Sequence, residues 1–289
     1  MSRIAYVNGK YIPHTHASVH VEDRGYQFAD AIYEACEVKD GHIIDMPRHL
    51  TRLDRSLSEL QINWDFDRKA FSGVLCETVR RNRVWDGIVY MQISRGVAKR
   101  DHVFPEAGTP CTVVVTSRSV DPAIGAHKAA HGVAAITVPE NRWERVDIKS
   151  VGLLPNALAR QKAKEQGAAE AIFVDNDGIM KEGGATNVWI VTKDGTLQTR
   201  PADFGILKGI TRAVAIETAN AMGLKIREKG FTKDEALEAR ECFITAATTL
   251  VMPVVQLDGK PIANGHPGEV SRALRGAFHK HAHRTAVYA

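Results

Sequence analysis

One lysine, Lys149, stands in a sequence context in which its amine could take part in chemistry. It follows the short extended stretch 145–148 and precedes a predicted helix. A lysine that forms an imine with an aldehyde must be partly removed from water, because only the neutral amine attacks a carbonyl carbon. An isolated lysine is more often a solvated surface charge. Spacing alone therefore leaves Lys149 as one candidate among many.

Two further segments have the composition of phosphate-binding turns. In the first, Gly209 precedes Ile210 and Thr211 at the start of a predicted helix. Free amide groups at a helix start bind phosphate, and glycine allows close approach of the backbone. The second segment, 245–249, follows an apolar strand and offers both amides and hydroxyls. Taken alone, helix capping by Thr211 and a polar turn at 245–249 are the simpler interpretations.

A carboxylate, Glu182, stands where a turn passes into a strand and is followed by Gly183 and Gly184. Two small residues would let a flat ring approach, and a carboxylate beside a pyridine nitrogen favours the protonated form of that nitrogen. A surface loop is the alternative interpretation. The chain carries no glycine-rich nucleotide motif, no H-E-x-x-H and no G-x-S-x-G. The commonest sequence signatures of nucleotide, zinc-protease and serine-hydrolase sites are therefore missing.

The spacing of apolar residues predicts an α+β chain in both halves. The first half is predicted to contain a hairpin at 4–7 and 10–12, an extended segment at 17–21, a short helix near 27–30, strands at 32–38, 87–94 and 111–116, and helices at 47–60 and 69–81. The second half is predicted to contain strands at 132–138, 171–174, 188–191, 242–246 and 254–257, and helices at 156–166 and 211–222. Turn residues around Asp121-Pro122 place an interdomain linker at 120–126, between domains 1–119 and 127–289.

Composition narrows the classes of partner. The 289 residues carry a net charge of only +4 with no block of like charges, so we expect no nucleic-acid partner. No apolar run is long enough for a transmembrane helix. Four scattered cysteines without a C-x-x-C pair predict reduced thiols and a cytoplasmic location. The basic run 279–284 is interpreted as a solvated helix face, and no metal site is expected.

The candidate segments gain specificity from their order along the chain. They resemble the fold type IV pyridoxal-phosphate transaminases, and within that family the bacterial D-amino-acid transaminases. The resemblance covers nearly the whole chain. The matching motifs are Asp23-Arg24-Gly25-Tyr26-Gln27-Phe28, Tyr33-Glu34, Arg52, Asp147-Ile148-Lys149-Ser150, Glu182 with Asn187-Val188, and Leu207-Lys208-Gly209-Ile210-Thr211-Arg212.

This resemblance implies a two-domain α+β fold with an N-terminal open α/β sandwich and a C-terminal pseudo-barrel. It implies pyridoxal 5′-phosphate as the cofactor, with Lys149 as the catalytic residue that holds it covalently and Glu182 at the pyridine nitrogen. The phosphate would be held by Arg52, Ile210, Thr211, Ala247 and Thr248. Arg24, His49 and Glu170 resemble a polar network behind the cofactor.

The resemblance also implies the substrates, an amino acid and a keto acid. Tyr33 would bind the substrate α-carboxylate together with Arg100 and His102, which reach the site of the neighbouring subunit in a homodimer. Arg100 can offer two parallel hydrogen bonds to a carboxylate. The implied reaction is transamination between a D-amino acid and an α-keto acid, of the D-alanine and 2-oxoglutarate type.

The chain departs from the family pattern at a few positions. Glu37 replaces a lysine, and Gly184-Ala185 and Ala246-Ala247 stand where the family has serines. Other activities of the same family are branched-chain L-amino-acid transamination, R-selective amine transamination and the aminodeoxychorismate lyase reaction. Outside enzymology, the alternative is a non-catalytic protein that binds the cofactor. The intact set of Lys149, Glu182 and Arg52 argues against that last alternative.

Overall fold

The computed structural model describes residues 3–288. The chain divides into two compact units, each with its own sheet and hydrophobic core. The first unit comprises Met1–Pro122, Ile148–Gly152 and His283–Ala289, and the second comprises Ala123–Asp147 and Leu153–Ala282. The predicted linker at 120–126 includes the point where the chain passes from the first unit to the second. The bounds of the two predicted domains stay predictions.

Strands and helices alternate along both units. The strands are β1 (Ile4–Val7), β2 (Lys10–Pro13), β3 (Ala31–Lys39), β4 (His42–Ile44), β5 (Gly87–Ser94), β6 (Thr112–Ser119), β7 (Val133–Pro139), β8 (Glu170–Val174), β9 (Met180–Gly183), β10 (Asn187–Val191), β11 (Leu197–Thr199), β12 (Ile226–Glu228), β13 (Glu241–Ala246), β14 (Leu250–Leu257), β15 (Lys260–Pro261) and β16 (Arg284–Ala286). The helices are α1 (Arg24–Phe28), α2 (Met46–Glu59), α3 (Arg68–Arg81), α4 (Pro122–His131), α5 (Leu154–Glu165), α6 (Ile210–Ala221), α7 (Lys233–Leu237) and α8 (Glu269–His281).

An antiparallel sheet of seven strands forms the first unit, in the order β16-β4-β3-β5-β6-β1-β2. Side chains alternate between the faces of a strand, so β3 buries Ile32, Cys36 and Val38 on one face. These three residues share a core with apolar residues of α2 and α3, namely Leu50, Leu53, Leu57, Phe71, Leu75 and Val79. The opposite face of β3 carries Tyr33, Ala35 and Glu37, which are half-buried.

A closed ring of six strands forms the centre of the second unit. The order is β10-β13-β14-β7-β8-β9, and β9 pairs again with β10 through Glu182 and Asn187. Strands β11 and β12 extend the sheet from β10, and β15 pairs with β14. Consecutive residues of β10 belong to different cores: Val188 packs in one, and Trp189 packs in another. This is the C-terminal pseudo-barrel that the sequence predicts.

Several element boundaries differ from the predictions for local reasons. Helix α1 begins at Arg24, three residues before the predicted position, because the Asp23 side chain accepts a hydrogen bond from the amide of Gly25 and caps the helix. Helix α4 begins at Pro122, inside the segment interpreted as an aperiodic linker. Proline has the fixed φ angle that suits a first helical position.

Two other segments of the first unit and its border also differ. Residues 17–21 follow a 3₁₀ turn at His14–His16 and enter no strand. The basic run 279–284 does not lie on one helix face, because α8 ends at His281 and β16 begins at Arg284. Ala282 between them is extended, with φ −76° and ψ 142°. Among the helices of residues 3–288, none combines the length and apolar character that a membrane span requires.

The core of the first unit predicts a clear difference between two substitutions on α2. Leu53 is fully buried, and Leu53→Ala should lower the free energy of unfolding by about 2–5 kcal/mol because it leaves a cavity. Ser58→Ala on the exposed side of the same helix should change that free energy by less than about 0.5 kcal/mol. Urea unfolding followed by fluorescence measures both. Similar values for the two variants would contradict the assignment of this core.

Candidate active site

The backbone around Lys149 is fixed against the start of β3. The amide of Tyr33 donates to the carbonyl of Lys149 at 3.0 Å. The amide of Val151 donates to the carbonyl of Ala31 at the same distance. On the other side, the amide of Lys149 donates to the Ser56 hydroxyl oxygen of α2 at 3.4 Å. Because these bonds hold the backbone on both sides, the Lys149 side chain leaves it at a defined position.

The amine of Lys149 lies over an aromatic ring. Its Nζ atom is 4.1 Å from the centre of the Tyr33 ring, a cation–π distance, and both side chains are half-buried. The Tyr33 ring stacks on Tyr90 with ring centres 5.7 Å apart. The Tyr90 hydroxyl donates to Gln92 Oε1 at 2.7 Å, and burial together with the neighbouring Tyr33 raises the pKa of Tyr90. Lys149 and Tyr33, predicted to share a site, are therefore in contact.

Arg52 belongs to a buried cluster that the sequence did not predict. Its Nε atom donates to Glu34 Oε1 at 2.7 Å, and its Nη2 atom donates to Glu34 Oε2 at 2.8 Å. His49 Nδ1 lies 2.7 Å from Glu34 Oε2. Burial by itself raises the pKa of Glu34, but Arg52 and His49 outweigh it and hold that pKa well below its usual range. Glu34 thus fixes the guanidinium of Arg52 from the adjacent position to Tyr33.

Arg100 and His102 lie on an exposed loop of the first unit. The guanidinium carbon of Arg100 is 4.7 Å from the centre of the Phe28 ring. The His102 ring centre is 5.5 Å from the same ring. Within residues 3–288, neither residue makes a hydrogen bond, ion pair or ring contact with Lys149 or Tyr33. One copy of the chain therefore does not assemble the predicted carboxylate-binding set of Tyr33, Arg100 and His102.

Asn187 organises the candidate residues of the second unit. Its Nδ2 atom donates to Glu182 Oε2 at 3.3 Å and to the carbonyl of Leu207 at 3.0 Å. Across the barrel sheet it pairs with Thr245, the first residue of the predicted phosphate turn. The amide of Leu207 also donates to Glu182 Oε2, at 2.9 Å. Glu182, the approach to α6 and the 245–249 turn are thereby gathered around one side chain.

Glu182 is also held by an arginine that sequence reasoning missed. Arg142 Nη1 donates to Glu182 Oε1 at 2.7 Å, and the same guanidinium pairs with Glu140 through Nε at 2.9 Å and Nη2 at 2.7 Å. Burial opposes ionisation of Glu140, but Arg142 outweighs it and lowers the pKa of Glu140 to about 2. Arg142 carries no motif of its own, and its 40-residue separation from Glu182 left no local signal.

The start of α6 has the features of an anion site. Its N-cap is Gly209, and no side chain caps the helix, so capping by Thr211 is not what the structure shows. A Cβ atom on Gly209 would lie 2.1 Å from Asn187 Oδ1, so only glycine fits there. The first amides of a helix lack partners within the helix. Ile210 and Thr211 therefore present free amide groups.

The 245–249 turn supplies a second feature of the same kind. The Thr249 hydroxyl oxygen is buried and finds no hydrogen-bond partner among residues 3–288. Ala247 is half-buried and Thr248 is exposed. A buried hydroxyl without a partner is costly unless a ligand satisfies it. In the second unit, the uncapped helix start and this hydroxyl suit a phosphate, and the fixed Glu182 carboxylate suits a pyridine nitrogen. In the first unit, the Lys149 amine suits an aldehyde.

The three residues interpreted as one polar network have separate partners. Arg24 pairs with Asp30 at 2.8 Å. His49 pairs with Glu34. Glu170 accepts hydrogen bonds from the amide of Gly184 and from the Thr186 hydroxyl, and its burial raises its pKa. The prediction that one network joins Arg24, His49 and Glu170 is therefore wrong for the contacts in this structure.

Positions that depart from the family pattern have local explanations in part. Gly183 is small because a Cβ atom there would lie 2.2 Å from Thr186 Oγ1. Gly184 is small because its Cβ would lie 2.8 Å from Arg160 Cγ. Packing, and not the approach of a ring, therefore requires these glycines. Ala185 and Ala246 are not explained by a contact. Glu37 lies on the same face of β3 as Tyr33. Within residues 3–288, no group of three His, Cys, Asp or Glu side chains is placed to hold a metal ion.

Sequence comparisons identify the family. The model of the amino-transferase class IV family matches residues 31–257. A curated D-alanine aminotransferase of Bacillus licheniformis is 38% identical over 271 residues, which cover 94% of both chains. The D-alanine aminotransferase of Staphylococcus haemolyticus is 34% identical over 276 residues and 96% of both chains.

Solved structures of the same fold agree with this assignment. A branched-chain amino acid aminotransferase from the organism abbreviated T.th., with pyridoxamine 5′-phosphate, has a TM-score of 0.88 at 26% identity, over 97% of this chain and 94% of that chain. The branched-chain enzyme of Escherichia coli has a TM-score of 0.89 at 23% identity, with the same coverage, and supports the fold alone. The predicted fold class, aminotransferase activity and pyridoxal phosphate cofactor are confirmed. The chain belongs to the class IV aminotransferases.

Proposed function

We propose that the chain transfers the amino group of a D-amino acid, of the D-alanine type, to an α-keto acid such as 2-oxoglutarate. Both curated relatives described above are D-alanine aminotransferases. The observation that carries the proposal is the Lys149 amine, fixed against β3 and held 4.1 Å from the centre of the Tyr33 ring. Branched-chain L-transamination, amine transamination and the lyase reaction are the rival outcomes of a substrate screen.

Lys149 has two roles in this proposal. It holds pyridoxal phosphate covalently through Nζ, and it moves the α-proton of the substrate as general base and acid. When bound, the cofactor supplies the electron sink that makes the α-proton acidic. The backbone hydrogen bonds of Lys149 keep its Nζ on the Tyr33 face of β3. A base held in one position meets the same face of each substrate, which supports selectivity for one enantiomer.

The second unit would bind the ring nitrogen and, with Arg52, the phosphate. Glu182 would face the pyridine nitrogen, where its negative charge keeps that nitrogen protonated. Arg142, Asn187 and the Leu207 amide fix the Glu182 carboxylate by hydrogen bonds. The phosphate would be bound by Arg52, the amides of Ile210 and Thr211, and the Ala247-Thr248 turn. The uncapped helix start and the unpaired Thr249 hydroxyl support this placement.

The substrate carboxylate would be bound by Tyr33 of one subunit with Arg100 and His102 of its partner. The structure separates Arg100 and His102 from Tyr33 within one copy, as this arrangement requires. Exposed apolar side chains occur on the two segments around the loop, at Val19, Val21, Tyr26, Val97, Val103 and Phe104. Large exposed apolar side chains close together in the chain fold are typical of an interface. We therefore infer that the chain is a homodimer.

The cysteines support a reducing location. All four are free, with Cys36 and Cys242 buried and Cys76 and Cys111 half-buried. Burial raises the pKa of each of these thiols. A thiol with a raised pKa is a poor nucleophile and forms disulfides slowly. Free cysteines of this kind suit the cytoplasm, which is the location that we propose.

Replacement of Lys149 tests the central assignment. Lys149→Ala should abolish the visible absorbance of lysine-bound cofactor and lower turnover of D-alanine with 2-oxoglutarate by at least about 10³-fold, because general acid–base and covalent catalysis are both lost. Spectra and coupled kinetics measure the two effects. Lys164→Ala on the exposed side of α5 is the control. A Lys149→Ala protein with the wild-type spectrum and turnover would refute the role.

Replacement of Glu182 tests the contact with the ring nitrogen. Glu182→Gln removes the charge that stabilises a protonated nitrogen, so we expect turnover to fall by about 10²-fold or more. The absorbance of the bound cofactor should also shift, which a purely structural effect would not produce. Glu165→Gln on exposed α5 serves as the control. Unchanged absorbance and turnover in Glu182→Gln would contradict the assignment.

Replacement of Arg100 tests the carboxylate contact. Arg100→Ala should lower kcat/KM for D-alanine by about 10- to 100-fold, the value of a charge-assisted hydrogen bond of about 1.5–3 kcal/mol. Conversion of D-alaninol, which lacks the carboxylate, should change much less. Single-turnover absorbance measures both amines, and Lys99→Ala on the same loop is the control. Equal losses on both amines would remove Arg100 from the carboxylate site, and faster conversion of L-alanine than D-alanine by wild type would overturn the D-specificity.

A further inference from the structure

The loop 97–104, which carries Arg100 and His102, is here named the carboxylate loop. We propose that the buried Arg24 is the positioning residue of this loop and sets the affinity of the enzyme for the substrate carboxylate. The inference rests on the proposed function, in which Arg100 and His102 bind that carboxylate. Arg24 does not touch the substrate in this proposal, because it acts through the backbone of the loop.

Arg24 binds the backbone on both sides of His102. Its Nη1 atom donates to the carbonyl of Asp101 at 2.6 Å and to the carbonyl of Val103 at 3.3 Å. Arg24 is only 3% exposed, so these bonds form away from water. The backbone amide of Arg24 donates to the carbonyl of Gly96, just before the loop, at 2.9 Å. One residue therefore holds the start of the loop and the peptides that flank His102.

The Phe28 ring is a common platform for Arg24 and the two loop side chains. The guanidinium carbons of Arg24 and Arg100 each lie 4.7 Å from the ring centre, and the His102 ring centre lies 5.5 Å away. Phe28 is the last residue of α1, and Arg24 is the first. The short helix α1 therefore presents the ring and the buried guanidinium as one rigid unit.

A shared carboxylate fixes the guanidinium of Arg24 itself. Asp30 Oδ2 accepts from Arg24 Nε at 2.8 Å and from Arg95 Nε at 2.7 Å. Arg95 also donates to the carbonyls of Leu60 and Gln61 after α2, at 2.6 Å and 2.7 Å. The Arg95 guanidinium carbon lies 3.6 Å from the ring centre of Phe104, at the end of the loop. The loop is thus connected to α2 and β5 through these two arginines.

Only arginine can make this set of contacts. The planar guanidinium donates through Nε in one direction and through Nη1 in another, which lets it reach Asp30 and two carbonyls at once. A lysine ammonium is a single point and cannot span both sides. Replacement of Arg24 leaves Asp30 paired with Arg95, so no buried carboxylate loses all its partners. The fold should therefore survive the loss of Arg24 while the loop loses its position.

The experiment compares Arg24→Met and Arg24→Lys with wild type as cofactor-loaded enzymes. We expect KM for D-alanine to rise about tenfold or more in both variants, because a displaced Arg100 loses its charge-assisted bonds. The kcat value, the conversion of D-alaninol and the cofactor absorbance should stay within about threefold or unchanged, since Lys149 and Glu182 are not touched. Arg83→Met, an exposed arginine of the same unit, is the matched control.

A double-mutant cycle separates positioning from a general structural role. If Arg24 acts through Arg100, Arg24→Met should change KM for D-alanine by less than about twofold in an Arg100→Ala background. Hydrogen exchange of amides 97–104 should be faster in Arg24→Met than in wild type. If Arg24→Met does not fold, Phe28→Leu removes the common platform and should give the same KM shift. Additive effects in the cycle, or unchanged KM in a folded variant, overturn the inference.

The failure of this inference differs from the failure of the proposed function. If Arg100→Ala impairs D-alanine and D-alaninol equally, the carboxylate role of the loop is wrong. If Arg100→Ala impairs D-alanine selectively but Arg24→Met leaves its KM unchanged, only the positioning role of Arg24 is wrong.

Discussion

Glu34 accepts hydrogen bonds from Arg52 and His49 in a place that water does not reach, and removal of either cation would leave a buried charge with too few partners. This pairing fixes α2 against β3, because both cations lie on α2 and the carboxylate lies on β3. The preceding residue along β3, Tyr33, points to the other face and supports the Lys149 amine. One strand thereby places a phosphate-binding arginine and a reactive lysine through two adjacent residues on opposite faces.

The second unit fixes its carboxylate with an amide. Asn187 pairs with Glu182 where β9 meets β10, which is also the pairing that closes the barrel. A misplaced Glu182 would therefore require an open barrel, and the position of the carboxylate is linked to the stability of the whole sheet. Arg142 supplies the positive charge that Glu182 needs when buried, and Glu140 balances Arg142 in turn. The carboxylate stays ionised while the site stays nearly neutral.

Much of the fold could be predicted from the sequence, because apolar spacing reports burial directly. The spacing of Leu50, Leu53 and Leu57 predicted α2 within a residue or two, and the pattern at 87–94 predicted β5. The site was harder. Lys149, Glu182 and Thr211 were identified by their order along the chain, whereas each alone had a simpler interpretation. Local pattern carries no information about which distant side chain completes a contact.

The partners of site residues were missed for the same reason. Glu34 pairs with Arg52 across 18 residues, and Arg142 pairs with Glu182 across 40 residues. Arg24 was assigned to the wrong neighbours because its partners include backbone carbonyls, which every residue has and no motif reveals. Small residues were misread in a related way: Gly183 is required by Thr186, a contact created only when the turn has formed.

The contrast between Arg24 and Arg100 follows from what each must do. Arg100 has to meet a hydrated carboxylate that arrives from solvent, so burial before the substrate binds would cost it the water that solvates its charge. An exposed arginine, however, has many rotamers and loses their entropy on binding. Part of that loss is avoided if the backbone beneath the side chain is already fixed. Arg24 can supply that fixation because it is buried, where bonds to carbonyls are strongest and its own charge is neutralised by Asp30. An exposed binding group and a buried support are therefore complementary parts of one device, and neither arginine could take the place of the other.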